Sequence, residues 1–275
     1  MDENNAIEQL ASKARKKLGL SHPPVDPIKA LEGYQLSLPD EPLEEILAGA
    51  GLTDDQITKI DAMVDMRDKS VYVREGMHDR QKNWGYLHEL AHRVVPTHRD
   101  LLYRCSIFRL SPSVQKQFER EADEFAAEVF FFGKEFIEDA MSLPFGLSSP
   151  LQLANGRYDV SLHAAFNRYV KQNPNNCCLL ISSPVDSKNI GMSDIELKYY
   201  IPSNGFKVHI PPHQKASFDS NVGALFNSGK LSSVTEHEFI LGGENTRIFD
   251  ANSFTNGYNI FTLIWNPRPT KIDRE

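Results

Sequence analysis

Hydrophobic and polar positions recur with two different periods along this chain. Over residues 6–18, Ile7, Leu10, Ala11, Ala14 and Leu18 return at three- and four-residue steps, which predicts an amphipathic helix. Pro23, Pro24 and Pro27 then impose an extended connection. Tyr34 to Leu38 reads as a short strand and Pro42 to Ala48 as a short helix. Ile60, Ala62, Val64 and Met66 recur with period two. Val71 and Val73 repeat that alternation after the polar turn Arg67-Asp68-Lys69, which predicts a β-hairpin. A helix follows from Asp79 to Val95 and ends near Pro96, and residues 97–110 read as irregular. Ser111-Pro112 has the form of an N-cap followed by proline at the first helical position. The helix it opens runs to about Phe132, with Phe118, Ala122, Phe125, Ala126 and Val129 on one stripe and Gly133 just past its end. Short helices continue through 134–175, one of them starting at Ser161.

From Cys177 the texture changes. The runs CCLLIS, LKYYI, FKVHI, EHEFIL, TRIFD and YNIFTLIW are separated by Gly, Asn, Ser and Pro, as in a set of short strands. The expected class is therefore α+β. A helical domain with a small hairpin is expected over residues 1–150, a helical connector over 151–175 and a β-rich C-terminal domain over 176–275. A chain of 275 residues, 40% apolar and 24% charged, can bury its core without disulfides. Its net charge of −7 argues against a general nucleic-acid or anionic-membrane surface. The three cysteines, Cys105, Cys177 and Cys178, form no C-x-x-C pair, so neither a disulfide framework nor a cysteine zinc site is indicated. That usage fits a reducing compartment. The start MDENNAIEQL lacks a basic, then apolar, leader pattern, and no apolar run approaches the ~20 residues of a membrane span. A cytoplasmic protein without membrane attachment is expected.

The strongest chemical signal is His88-Glu89-Leu90-Ala91-His92, an H-E-x-x-H motif on a predicted helix. Two histidines four residues apart project from one helix face and can share a metal ion. Imidazole nitrogen suits Zn²⁺, and Glu89 stands where it can reach an activated water without being a ligand. A catalytic zinc site takes three protein ligands and keeps one position open. Two residues compete for the third place. His98 completes H-E-x-x-H-x5-H, the ligand spacing of metzincins, but Val95 stands where those enzymes have glycine, and a β-branched residue resists positive φ. Glu119 lies 31 positions after His88 on the next long helix, with Asp123 one turn further on. Thermolysin-like zinc enzymes use this E-x-x-x-D arrangement, the glutamate on the metal and the aspartate holding a ligand histidine by its second nitrogen. Glu121 and Glu124 read as solvated neighbours.

The stretch from Asp79-Arg80-Gln81 through HELAH, with E-R-E-A-D-E-F-A-A-E at 119–128, resembles the ImmA/IrrE family of metallopeptidases. Glu119, Ala122, Phe125, Ala126 and Ala127 match the family's second motif; Asp123 replaces its usual asparagine, and Phe131-Phe132-Gly133 replaces its L-M-P ending. Pro23-Pro24-Val25-Asp26 and the segment from Asp159 to Arg168 are similar to flanking parts of that family, so the resemblance spans about residues 6–170. It implies a zincin-like domain with His88, His92 and Glu119 as zinc ligands and Glu89 as catalytic base. It also implies a regulatory endopeptidase acting on a helix-turn-helix transcriptional repressor.

The residue reading agrees that two histidines and one glutamate favour zinc over manganese. A second donor for the oxyanion is expected; Tyr103, Tyr158 and His163 are candidates, but each reads first as structural and none is singled out. The hairpin at 60–73 reads equally as an edge strand for an extended peptide or as a cover for the core. A competing reading is a non-catalytic sensor or partner-binding module on a peptidase-like fold; the intact Glu89 speaks against it. His209 and His213 are separated by Pro211-Pro212, and His237 sits in an alternating run, so these three are expected to be ordinary residues.

Overall fold

The computed structural model describes residues 3–104, 110–184, 195–210, 231–242 and 245–269. Cys105 and His213 lie outside them. Helices are combined with two separate antiparallel sheets, the α+β class that the pattern predicts. The chain divides into two compact units, residues 1–136 with 155–161, and residues 137–154 with 162–275.

The first unit is built around helix α5 (Asp79–Val94). Its N-terminus is set by a capping box, in which the His78 ring accepts from the Arg80 amide and Gln81 reaches back to the His78 backbone. Leu87, Leu90 and Ala91 are completely buried. Sequestering such leucines contributes about 1.5–3 kcal/mol each. Helices α1 (Glu3–Lys17), α2 (Pro27–Gly33), α3 (Leu43–Gly49) and α4 (Asp54–Ile57) precede it. The predicted hairpin forms as β1 (Ala62–Asp65) and β2 (Ser70–Val73), antiparallel, with Val64 opposite Val71. It lies against α5 at Gly85, where a Cβ would stand 3.4 Å from that of Ala62. Helix α7 (Pro112–Phe130) packs its stripe of Phe118, Ala122, Phe125, Ala126 and Val129 inward. It ends where Gly133, at φ 67°, returns its amide to the Glu128 carbonyl.

Two expectations in this unit are corrected. Tyr34 to Leu38 forms no strand and contributes only the single bridge Ser37–Ser70 beside β2. Of residues 97–110, read as irregular, those up to 104 belong to helix α6 (Pro96–Arg104). Proline suits the first turn of a helix, where its missing N–H has no partner to lose. The chain turns into α6 at Val95 with φ −71° and ψ 118°, without any left-handed residue. Over residues 96–102 only His98 is buried, so no apolar period marks this helix.

The second unit carries helices α8 (Glu135–Met141, which begins in the first unit), α9 (Ser148–Asn155) and α10 (Leu162–Gln172). Its sheet comprises β3 (Cys177–Pro184), β4 (Ile195–Pro202), β5 (Thr235–Gly242), β6 (Asn245–Thr255) and β7 (Ile260–Pro269), in the order β4-β3-β7-β6-β5. Helix α10 packs Ala165, Phe166, Tyr169 and Val170 inward and lies against β3 and β4. Cys178, Leu180, Phe249 and Ile264 are central to the core. The run FKVHI is not a strand. Phe206 and Ile210 are buried in that same core, but the main chain turns there, with the Phe206 amide on the Ser203 carbonyl. Alternation in this run reports burial rather than strand pairing.

Candidate metal centre

Three elements bring the chemical residues together. Helix α5 carries His88 and His92 on one face, their rings 5.2 Å apart. Helix α7 brings Glu119 against both: Oε2 stands 3.1 Å from His88 Nε2, and Oε1 stands 3.8 Å from His92 Nε2. One ligand atom from each of these residues lies within 4.8 Å of the other two. Donors held about 2.0–2.1 Å from a tetrahedral ion stand roughly 3.3–3.4 Å apart, so the two measured separations bracket what such an ion requires. Two imidazole nitrogens and one carboxylate oxygen are also a donor set that suits zinc. The histidine side of the triad is sheltered and the carboxylate side is open, with side-chain exposures of 14% for His88, 4% for His92 and 49% for Glu119. That asymmetry leaves an approach for a ligand past Glu119.

Asp123, one turn beyond Glu119, places Oδ1 3.0 Å from His88 Nδ1. The Trp84 indole donates to the same oxygen at 3.4 Å, and its ring stacks on Phe130 at 5.9 Å. His88 therefore has one nitrogen on Asp123 and the other turned to Glu119. Burial disfavours its charged form. Hydrogen bonds donated by the ring to Asp123 and Glu119 and the charges of Glu89 and Glu119 outweigh that, raising its pKa to about 10.

Glu89 is 6% exposed. Burial pushes its carboxyl up to about 7, assisted by Glu119 and opposed by His88 and by a hydrogen bond from the Val64 amide. A general base works best when its pKa lies near the operating pH, and this carboxyl meets that condition. The Val64 contact also ties the hairpin to the glutamate. Among the described residues β1 pairs only with β2, which leaves its other edge without a strand partner.

His98 does not join the triad. Its Nδ1 lies 3.1 Å from His92 Nδ1, its Nε2 lies 2.8 Å from Glu121 Oε2, and its ring stacks on Phe118 at 3.9 Å. Both nitrogens are thus engaged behind His92. Burial lowers the pKa of both rings, and at His98 Glu121 opposes that effect. The metzincin-like ligand set is not assembled here, and the Val95 turn explains why: α6 runs back beneath α5 with His98 inside it. Glu121, expected to be solvated, is 9% exposed and accepts a second hydrogen bond from Gln117 at 2.8 Å. Its role had no signal beyond the acid-rich run itself, because one carboxylate in five is indistinguishable by period.

Of the oxyanion candidates, Tyr158 is completely buried against Phe136 at 5.0 Å. His163 belongs to the second unit, with its ring 5.1 Å from Tyr199. Tyr103 lies on α6, but its side chain is outside the described part.

No family model matches the chain, and no curated protein matches it. Among solved structures, the fold is similar to that of a Mycobacterium tuberculosis transcriptional regulator. The TM-score is 0.50 at 12% identity, over 97% of this chain and 90% of that one. At this identity the likeness is one of fold. Among the described residues, no helix is long and apolar enough to cross a membrane.

Proposed function

We propose that this protein is a zinc-dependent endopeptidase that cleaves a helix-turn-helix transcriptional repressor. The observation that carries the reading is the convergence of His88, His92 and Glu119 beside a buried Glu89. His88, His92 and Glu119 would hold the zinc, which when bound would supply a Lewis acid able to acidify water and polarise a peptide carbonyl. Asp123 orients His88 by its far nitrogen. Glu89 takes the proton of the attacking water and delivers it to the departing amide nitrogen. The edge of β1 that has no strand partner among the described residues, with Val64 beside Glu89, would align an extended substrate strand by main-chain hydrogen bonds. The regulatory substrate draws support from the family resemblance of residues 6–170 and from the neighbour's printed description as a transcriptional regulator.

The test is a cleavage assay. Zinc-loaded protein is incubated with the helix-turn-helix repressor encoded nearest to it, with Glu89→Gln as control. Metal-dependent cleavage by the wild type and none by the variant is expected, and fragment masses give the scissile bond. Equal behaviour of wild type and Glu89→Gln, with the repressor bound but intact, favours the non-catalytic binding module instead.

A further inference from the structure

Both ring nitrogens of His92 are spoken for, and this fixes more than one proton. Its Nε2 faces Glu119, and its Nδ1 meets His98 Nδ1 at 3.1 Å. Two imidazole nitrogens at that distance share one hydrogen, so one ring donates and the other accepts. Behind them, His98 Nε2 stands 2.8 Å from the Glu121 carboxylate, an acceptor only. A proton therefore belongs on His98 Nε2. With both rings neutral, His98 Nδ1 is then bare and accepts, and His92 Nδ1 donates to it. The reverse assignment sets a bare His98 nitrogen against carboxylate lone pairs and points an N–H of His92 at the triad. Gln117 donates to the other Glu121 oxygen at 2.8 Å and holds the carboxylate in place. His92 is 3%, His98 0% and Glu121 9% exposed, so water does not compete for these bonds.

We infer that His98 and Glu121 are positioning residues that fix His92 in its Nδ1–H tautomer, leaving a bare Nε2 lone pair directed at His88 and Glu119. The inference rests on the metal-site reading above for its purpose, but its geometry stands on the chain alone. Helix α7 thus supplies one ligand and two orienting carboxylates. Asp123 acts on His88 directly, at 3.0 Å, and Glu121 acts on His92 through an intervening histidine. A direct contact suffices where the far nitrogen of the ligand lies beside α7. His92 lies deeper, and the ring of His98 spans the remaining distance while stacking on Phe118.

Partners that orient a metal-ligating histidine typically matter by 10–100-fold in metal affinity. The test uses the full chain. Long-range ¹H–¹⁵N correlation spectra of the metal-free wild type read the tautomer of His92, assigned by comparison with His92→Gln. The expected pattern is protonated Nδ1 and bare Nε2; a protonated Nε2 on His92 overturns the inference whether or not the protein binds metal. Zinc affinity is then measured by chelator competition. His98→Phe keeps the stack on Phe118 but offers no acceptor, and about 10–100-fold weaker binding is expected. His98→Asn restores an acceptor and is expected to recover most of the loss, as is Glu121→Gln relative to Glu121→Leu. Circular dichroism confirms that each variant is folded. Wild-type affinity in a folded His98→Phe overturns the relay, whereas a wild type that binds no zinc overturns the metal-site reading and leaves the tautomer spectrum to decide the relay.

Discussion

The two units bury polar groups of different kinds. Among the described residues, the buried acids and histidines (Glu89, His92, His98, Glu121 and Glu128) all belong to the first unit. The second unit buries hydroxyls and amides instead, such as Ser182, Ser253, Asn252 and Thr262. Several of these neutral groups are satisfied by hydrogen bonds to one another or to the main chain: Ser253 Oγ meets Thr262 Oγ1 at 2.9 Å, and Asn252 Oδ1 accepts from the Leu147 amide at 3.0 Å. Burying an ionisable group costs far more, and it persists only where it is paired or used. Glu89, His92, His98 and Glu121 sit at or directly behind one triad. The contrast separates a region whose buried ionisable groups gather at one candidate metal centre from one built on strand pairing and apolar packing.

The largest effect that sharpens this contrast is at Glu89. Glu89→Gln is expected to lower the rate of peptide hydrolysis by about 10²–10⁴-fold, measured by single-turnover cleavage, while zinc stoichiometry stays the same. Equal rates in the two proteins break the assignment. The counterpart in the second unit is Phe249→Ala, which empties a completely buried ring site in the sheet core. It is expected to cost about 3–5 kcal/mol in urea unfolding. Zinc affinity in the folded fraction should not change, and a metal-affinity loss there joins the two regions energetically and breaks the contrast.

How much of this was legible beforehand differs by element. Helix α5 and its motif were readable because the i, i+4 histidines and the buried leucines obey one period. The first motif residues, His88, Glu89 and His92, and the distant Glu119 and Asp123 are all brought together as the spacing implied. Helix α6 was missed because its buried side chain is a histidine, which no hydrophobic pattern records. Glu121 was missed for the complementary reason: its burial depends on His98, which lies on another helix, and on Gln117, one turn back on the same face but polar, so neither partner leaves a hydrophobic signal. In the second unit, FKVHI has the alternation of a strand and buries Phe206 and Ile210, but among the described residues no strand pairs with it. Period two specifies which side chains go inward and leaves the ladder to tertiary structure.

Smaller effects probe the neutral character of the second unit. Burial raises the Cys177 thiol to about 11 against Ser203, which lowers it, and it pushes Cys178 higher still. A raised thiol pKa stabilises the fold below the unfolded value and loses that contribution as pH climbs toward the folded value. Stability is therefore expected to fall from pH 9.0 through about 11. In a Cys105→Ser background, native protein at pH 8 should resist a thiol-specific disulfide reagent, and denaturant should release both thiols. Rapid modification of the native protein contradicts the burial. The smallest effect is in the first unit, away from the triad. Asp26 caps α2 by accepting from the Ile28 and Lys29 amides, at 3.1 and 3.2 Å. Asp26→Ala should cost about 1 kcal/mol in unfolding without altering zinc affinity.

The central claim is that Glu89, His92, His98 and Glu121 serve one metal site whose third ligand is Glu119. Zinc titration of the wild type and of Glu119→Ala by calorimetry tests it most directly. The account predicts one equivalent bound by the wild type, and binding weakened in the variant by more than the about 100-fold that loss of an orienting partner can cost. Undiminished zinc binding by Glu119→Ala, or none by the wild type, contradicts it.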